Sequence, residues 1–225
     1  RLIPKIVSDY ISGENFLKPF YKYQPVLDSV VDVINDKRQE KIDRNLLTEV
    51  LSKQYSVLQK NEKVERNISL LKSGKTFTVT TGHQLNLFTG PLYFIYKILT
   101  VIQLAEKFSQ SYPDYNFVPV YWMASEDHDF AEINHIHLFG EKIEWSGAEA
   151  KNSRGPSGKL GTEGISALIS IIKNKIEKEN GSEKVIELLS QAYLKHDNLA
   201  DATRYFVNEL FGKYGLIILD ADDKR

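Results

Sequence analysis

Two apolar stretches on either side of a helical pattern decide the fold of this chain: TFTVTT at residues 76–81 and FVPVYW at residues 117–122. Their β-branched and aromatic residues are typical of strands. Between them, residues 92–108 carry polar side chains at intervals of three or four, which indicates a helix with a wide apolar face. The order strand, helix, strand predicts a βαβ unit with parallel strands and a right-handed crossover.

The sequence on both sides of this unit extends the same architecture. GLIILD at residues 215–220 predicts a third strand after a helix at about residues 199–214. Apolar residues at helical spacing make residues 1–70 mainly helical, and glycines among charged residues at 141–162 indicate an excursion from the sheet. We therefore predict an α/β fold with a mainly parallel, Rossmann-type sheet. Its parts are a helical lead-in packed on the core (1–70), the first part of the core (71–140), an inserted connecting segment with helices (141–198) and a return to the core (199–225).

Composition excludes several classes of function. The 225 residues include 29 basic and 30 acidic ones, so no excess of positive charge exists to neutralise a nucleic-acid backbone. Cysteine does not occur in the sequence, which excludes a disulfide scaffold, a thiolate zinc site and a cysteine nucleophile and makes a reducing cytoplasm the simpler setting. No stretch approaches the roughly 20 apolar residues of a membrane span. The first residue is Arg1 and the only methionine is Met123, so we expect part of a longer protein.

The connection after the first predicted strand, GHQLNLFTGP at residues 82–91, is the first candidate site. In an open parallel sheet, ligands bind beyond the carboxyl ends of the strands. Thr89 and Gly90 lead into a helix N-terminus, whose free amides and dipole favour an anion, and His83 titrates near physiological pH. A turn whose polar groups satisfy its own backbone is the alternative. The candidate residues are Gly82, His83, Gln84, Asn86, Thr89 and Gly90.

The second candidate site follows the second predicted strand and has the sequence SEDHD at residues 125–129. Three carboxylates and one imidazole at neighbouring positions repel one another unless a cation, a charged amine or a shared proton compensates. The alternative is a helix N-terminus that Ser125 caps and that acidic residues stabilise. The candidate residues are Ser125, Glu126, Asp127, His128 and Asp129.

Two neighbouring histidines are candidate metal ligands. His135 and His137 alternate on a predicted short strand at residues 134–139, so both point to one face. With His128 and Asp129 they could form a metal site of imidazole and carboxylate ligands. Their spacing matches no zinc signature, so we predict no metal, and a polar strand face is the alternative.

The motifs at the two candidate sites resemble those of a known family. The stretches TGHQ at 81–84, FTGPLY at 88–93 and VPVYWMASEDHDFAEINH at 118–135, with YGL at 214–216, look like the bacillithiol biosynthesis cysteine-adding enzymes. The resemblance runs from about Thr76 to Asp220. The core is also similar to class I aminoacyl-tRNA synthetases, whose His-x-Gly-His motif corresponds here to TTGH at residues 80–83.

The resemblance implies a function and an assembly. Family members are ligases that join L-cysteine to glucosaminyl malate through an amide, and they dimerise through an α-helical coiled coil, which we expect to be missing from this chain. It implies a cytoplasmic homodimer with small-molecule substrates, no nucleic acid and no membrane partner. ATP or ADP is the candidate cofactor, and the need for a nucleotide stays open. Tyr93 and Trp122 lie in the motifs that carry the resemblance, so they are also candidate binding residues.

The mechanism expected from these residues is amide ligation at the carboxyl edge of the sheet. His83 would stabilise charge on the activated carboxyl group. Asp127, Asp129 or Glu126 would bind the amine or take its proton, with His128 as the alternative base. A non-catalytic module that binds a nucleotide or metabolite is one rival, and a metal-dependent hydrolase that uses His128, Asp129, His135 and His137 is another.

Overall fold

A computed structural model describes residues 3–59, 61–147 and 155–225, so residues 148–154 of the predicted excursion lie outside the described part. The chain divides into two compact units between Asp43 and Arg44. The first unit contains the helices α1 (Lys5–Ser12) and α2 (Val30–Lys37), with short 3-10 turns between them. Rings of Tyr10 and Tyr21 meet edge to face within it, 4.9 Å apart between centroids.

The second unit contains the sheet. In chain order its helices and strands are α3 (Arg44–Gln54), α4 (Glu62–Leu70), β1 (Thr76–His83), α5 (Tyr93–Ser111), β2 (Asn116–Met123), α6 (Phe130–Ile133), β3 (His135–Leu138), β4 (Glu141–Glu144), α7 (Ile165–Ile176), α8 (Ser182–Tyr193), α9 (Leu199–Phe211) and β5 (Ile217–Asp220). The main sheet has the order β1-β2-β5, and both pairs are parallel. The predicted βαβ unit and the α/β class are confirmed.

Helices cover both faces of the main sheet. On one face, Val118 and Val120 of β2 and Ile217 of β5 pack against α3 and α4. On the other face, Tyr121 and Met123 pack in a larger core with α5, α7, α8 and α9. Burial on both faces explains why β2 is apolar almost throughout, since alternate side chains of a strand point to opposite faces.

Side chains of α3 and the turn after it cover the edge of β5 that faces away from β2. The Tyr55 hydroxyl accepts from the Ile218 N–H over 2.7 Å. The Gln54 amide accepts from the Asp220 N–H over 3.0 Å and donates to the Asp220 carbonyl over 3.3 Å, as a neighbouring strand would. These side chains satisfy backbone groups that an uncovered edge would leave without partners.

Two boundaries differ from the sequence prediction. Gly82 and His83 belong to β1, because they continue the parallel ladder opposite Trp122 and Met123, so the prediction that the loop begins at residue 82 is wrong. Glu141–Glu144, expected in the excursion, forms the antiparallel partner of β3. The two-residue turn between these strands places both central residues, Phe139 and Gly140, at positive φ (52° and 82°), as tight hairpins require.

The inserted segment returns to the sheet through α7 and α8, which pack on each other and on α9. Their buried residues Ile165, Leu168, Ile169 and Leu189 join the larger core. In the part of the chain that the structure describes, the helices are too short or too polar to cross a membrane.

The cover over the β5 edge is testable through Tyr55. We expect Tyr55→Phe to lower the free energy of unfolding by about 1–3 kcal/mol, because the Ile218 N–H loses its acceptor in a buried place. Urea denaturation measures the change. Tyr96→Phe, on an exposed tyrosine of α5, is the control and should change stability by less than about 0.5 kcal/mol. Equal stability of both variants would show that the edge needs no cover.

Candidate active site at the carboxyl edge

The loops after β1 and β2 meet beyond the carboxyl ends of these strands. Gln84 donates from Nε2 to Oδ2 of Asp127 over 2.8 Å. The Ala124 N–H donates to the His83 carbonyl over 3.1 Å, so the backbones are joined as well. The structure thus brings together the two loops in which the sequence predicts a site, at the place where parallel sheets bind ligands.

The connection from β1 to α5 has a strained backbone. Phe88, Thr89 and Gly90 have φ of 52°, 74° and 56°, which is costly for a β-branched residue such as threonine. The Tyr193 hydroxyl accepts from the Phe88 N–H over 3.1 Å, and the Thr89 and Gly90 N–H groups donate to carbonyls of the same turn. The amides of Thr89 and Gly90 are thus used within the turn, and α5 begins only at Tyr93. Binding of an anion at the N-terminus of α5 stays a prediction.

His83 lies half-buried at the end of β1 between two aromatic rings. Tyr93 stacks on the imidazole with 5.2 Å between the centroids, and Phe94 meets it edge-on at 5.2 Å. Nδ1 lies 3.2 Å from the Gln84 carbonyl oxygen, which can only accept, so Nδ1 carries the proton. Nε2 is buried and has no hydrogen-bond partner among the described residues. In the neutral ring, Nε2 is therefore a proton acceptor.

The surroundings keep His83 uncharged. Burial lowers the pKa of His83 below its ordinary value, and the positive charge of Lys97 lowers this pKa further. Lys97 is held there because its Nζ donates to the Gly82 carbonyl over 2.6 Å. A neutral imidazole can take a proton but brings no positive charge to an anion, so the geometry favours a base over the charge-stabilising role expected from the sequence.

Asp127, in contrast to His83, is held in its charged form. The Asp129 N–H donates to its Oδ1 over 2.9 Å, and this bond together with the one from Gln84 lowers the pKa of Asp127. A carboxylate that stays ionised is a weak base near neutral pH but a good partner for an amine. Glu126, His128 and Asp129 are exposed around it.

Ser125 does not cap a helix, so this part of the alternative interpretation is wrong. The next helix, α6, begins only at Phe130, and Ser125 is buried with its hydroxyl donating to the Asp220 carboxylate. Asp220 also accepts from the Asp222 N–H over 3.2 Å and from the Arg204 guanidinium over 3.4 Å. These bonds join the loop after β2, the end of β5 and α9 into one network.

Two cavities lie beside the two loops, one lined by Ser125 and the other by Gln84. Each has a volume of about 600 Å³, within the size range of small-molecule sites. The first, the β5-side cavity, is lined by charged residues of both signs together with Ser125 and Asn198: Lys53, Lys159, Arg204, Arg225, Asp201, Asp220, Asp222 and Asp223. The second, the α5-side cavity, is lined by Gln84, Asn86, Gly90, Pro91, Leu92, Tyr93, Glu132, His135, Ile136 and His137. Of the predicted catalytic and binding residues, Gln84, Asn86, Gly90 and Tyr93 line the α5-side cavity, and Ser125 lines the β5-side cavity. The others line neither of these two cavities: Gly82, His83, Thr89, Trp122, Glu126, Asp127, His128 and Asp129.

The histidines of β3 share one face, as predicted. The rings of His135 and His137 lie 5.4 Å apart between centroids, and both residues line the α5-side cavity. Across residues 3–59, 61–147 and 155–225, however, no three histidine, aspartate or glutamate side chains come together as metal ligands. The structure therefore does not assemble the set that the metal-dependent hydrolase requires.

Comparison with known families identifies the fold and its relatives. The family model described as Bacillithiol biosynthesis BshC, N-terminal Rossmann-like domain, matches residues 2–225. The chain belongs to this BshC family. The family resemblance inferred from the motifs and the Rossmann-type fold are thereby confirmed.

Curated BshC relatives share this stretch at high identity. A protein of Flavobacterium psychrophilum is 46% identical over 221 residues, and one of Flavobacterium johnsoniae is 45% identical over 221 residues. A protein of Christiangramia forsetii is 44% identical over 222 residues. Each is named "Putative cysteine ligase BshC". The matches cover 97–98% of this chain but 41% of each relative, so the chain spans about two fifths of their length.

Several residues that support the candidate site escaped the sequence analysis. Arg204 is a charged residue on a helix, and its neighbours Thr203 and Val207 are buried. A charged residue on the buried side of a helix is the signal that could have drawn attention to it. Lys97 was assigned only to the polar face of a helix. Gln54 and Tyr55 gave no signal, because nothing local relates them to a strand more than 160 residues later.

The neutral state of His83 can be measured directly. We expect the imidazole to titrate with a midpoint below 6.5 in NMR spectra, because burial and Lys97 both oppose its protonation. Lys97→Met should raise this midpoint, whereas Lys107→Met, farther along the same helix, should leave it unchanged. A midpoint at or above 6.5 in the unmodified protein would contradict the assignment.

Proposed function

We propose that this chain carries the carboxyl-edge part of the active site of a ligase that joins L-cysteine to glucosaminyl malate through an amide bond. Membership of the BshC family and the names of the relatives support this reaction. The hydrogen bond between Gln84 and Asp127 is the observation that carries the proposal for these residues. It joins the ionised carboxylate of Asp127 to the loop that follows the neutral His83, and Gln84 itself lines the α5-side cavity.

Amide formation needs a neutral amine and an activated carboxyl carbon. The amino nitrogen of the sugar bonds to the carboxyl carbon of cysteine, the leaving group on that carbon departs with its electron pair, and the nitrogen loses a proton. Asp127 is ionised and holds the amine, and His83, with Nε2 free to accept, takes the proton. The roles are divided in this way because, at neutral pH, the Asp127 carboxylate is charged and the His83 imidazole is neutral.

A nucleotide fits the β5-side cavity better than the connection after β1. Residues 80–83, which correspond to the synthetase phosphate motif, are the last residues of a strand, and the following turn uses its own amides. In the β5-side cavity, buried Arg204 has an Nε–H without a partner among the described residues. Lys53 would contact the phosphates, and Lys159 and Arg225 would join it by exchanging their ion pairs with Asp222 and Asp223. ATP when bound would supply the leaving group for the cysteine carboxyl.

The roles of His83 and Asp127 are testable in the full-length enzyme. We expect His83→Ala and Asp127→Ala each to lower kcat/KM by roughly 100-fold or more, because the proton acceptor or the amine partner is lost. The measurement is formation of the cysteine amide from L-cysteine and glucosaminyl malate, with and without ATP. Asp114→Asn, an exposed aspartate before β2, is the matched control and should keep normal turnover.

Near-normal turnover by both variants would contradict the site. Absence of product from the unmodified enzyme under all nucleotide conditions would contradict the ligase itself and favour a non-catalytic binding module. The expected dimer through a coiled coil and the cytoplasmic location remain proposals about the whole protein, consistent with a small-molecule biosynthetic role.

A further inference from the structure

Asn86 lines the α5-side cavity and has a buried polar atom without a hydrogen-bond partner among the described residues. Asn86 is 8% exposed, and its Nδ2 donates to the Glu132 carbonyl over 3.1 Å, which identifies the other atom as the oxygen. This Oδ1 has no hydrogen-bond partner in the part of the chain that the structure describes. Leaving a buried acceptor unsatisfied is unfavourable, so a ligand that donates a hydrogen bond to this oxygen would bind more tightly.

The lining distinguishes this cavity from the β5-side cavity. Among the described residues, no lysine or arginine lines it, and Glu132 is its one acidic residue. The remaining polar groups are the amides of Gln84 and Asn86 and the imidazoles of His135 and His137. Such a surface offers many donors and acceptors without the cations that a dicarboxylate or a phosphate needs. It therefore suits an uncharged ligand with several hydroxyl groups.

An exposed aromatic ring completes the cavity. Tyr93 is 55% exposed, although one face of its ring stacks on His83. A tyrosine presents an apolar ring and a polar hydroxyl to a ligand, so it can pack against the C–H groups of a sugar ring and also hydrogen-bond to it. Planar amides, imidazoles and an exposed aromatic ring are together the groups that recognise a hydroxylated sugar ring.

We propose that the α5-side cavity is the subsite for a pyranose sugar. Gln84 lines the cavity and also donates to Asp127, so a sugar bound there lies next to the carboxylate that the proposed reaction uses. The identity of the sugar, the glucosaminyl group, rests on the proposed function; the assignment of the cavity to a sugar does not. The malate portion then lies outside this cavity, because the described lining offers its two carboxylates no cation.

The test measures sugar binding without catalysis, in the full-length protein. The probe is methyl α-glucosaminide, followed by ligand-observed NMR titration, with L-malate titrated separately. We expect Tyr93→Ala to weaken binding of the sugar at least 10-fold and His137→Ala to weaken it several-fold, while neither changes the affinity for malate. Tyr96→Ala removes another exposed tyrosine of the same helix, outside the cavity, and should bind the sugar normally.

The outcomes separate this inference from the proposed ligase function. Both substituted side chains are exposed or partly exposed, so the variants should fold. Unchanged sugar binding in Tyr93→Ala and His137→Ala, or loss of malate binding instead, would overturn the subsite even if the enzyme forms the amide. Sugar binding that depends on Tyr93 without amide formation would support the subsite and overturn the ligase.

Discussion

The Asp220 carboxylate holds the carboxyl end of the sheet together. It accepts from Ser125 after β2, from Arg204 on α9 and from the backbone after β5, while Gln54 pairs with the Asp220 backbone from α3. A largely buried carboxylate is stable only when such donors surround it. Because three segments supply donors to the carboxylate and α3 binds the Asp220 backbone, the ends of β2 and β5 are held together, and the loop that carries Asp127 begins from a fixed point.

The strained turn after β1 is the second fixed point. Three successive residues with positive φ persist because the buried Tyr193 hydroxyl anchors the Phe88 N–H and the ring of Phe88 meets Tyr193 edge-on at 4.9 Å. The same turn brings Gly90 so close to Asn86 that a Cβ would lie 2.5 Å from the Asn86 Cβ. Core packing on α8 thus sets the shape of the α5-side cavity.

The electrostatics of the site follow from these two fixed points. His83 is pressed between aromatic rings beside Lys97, which keeps it neutral, and Asp127 receives hydrogen bonds, which keep it ionised. The two cavities beside these loops also differ in charge: the β5-side cavity is lined by charged residues of both signs, whereas the described lining of the α5-side cavity contains a single acidic residue and no basic one. The two cavities therefore suit ligands of different chemistry.

The sequence by itself determined the fold class, the βαβ unit, the family and the two loops of the site, because strand and helix periodicity and the motifs at residues 81–93 and 118–135 are local properties. Only the tertiary structure decided that β1 continues through His83, that Ser125 bonds to Asp220, and that Gln84 and Ser125 line different cavities. It also decided the charge states of His83 and Asp127. Those features depend on partners such as Arg204, Lys97 and Gln54, which lie on other elements, and a hydrogen bond across the fold has no periodicity along the chain.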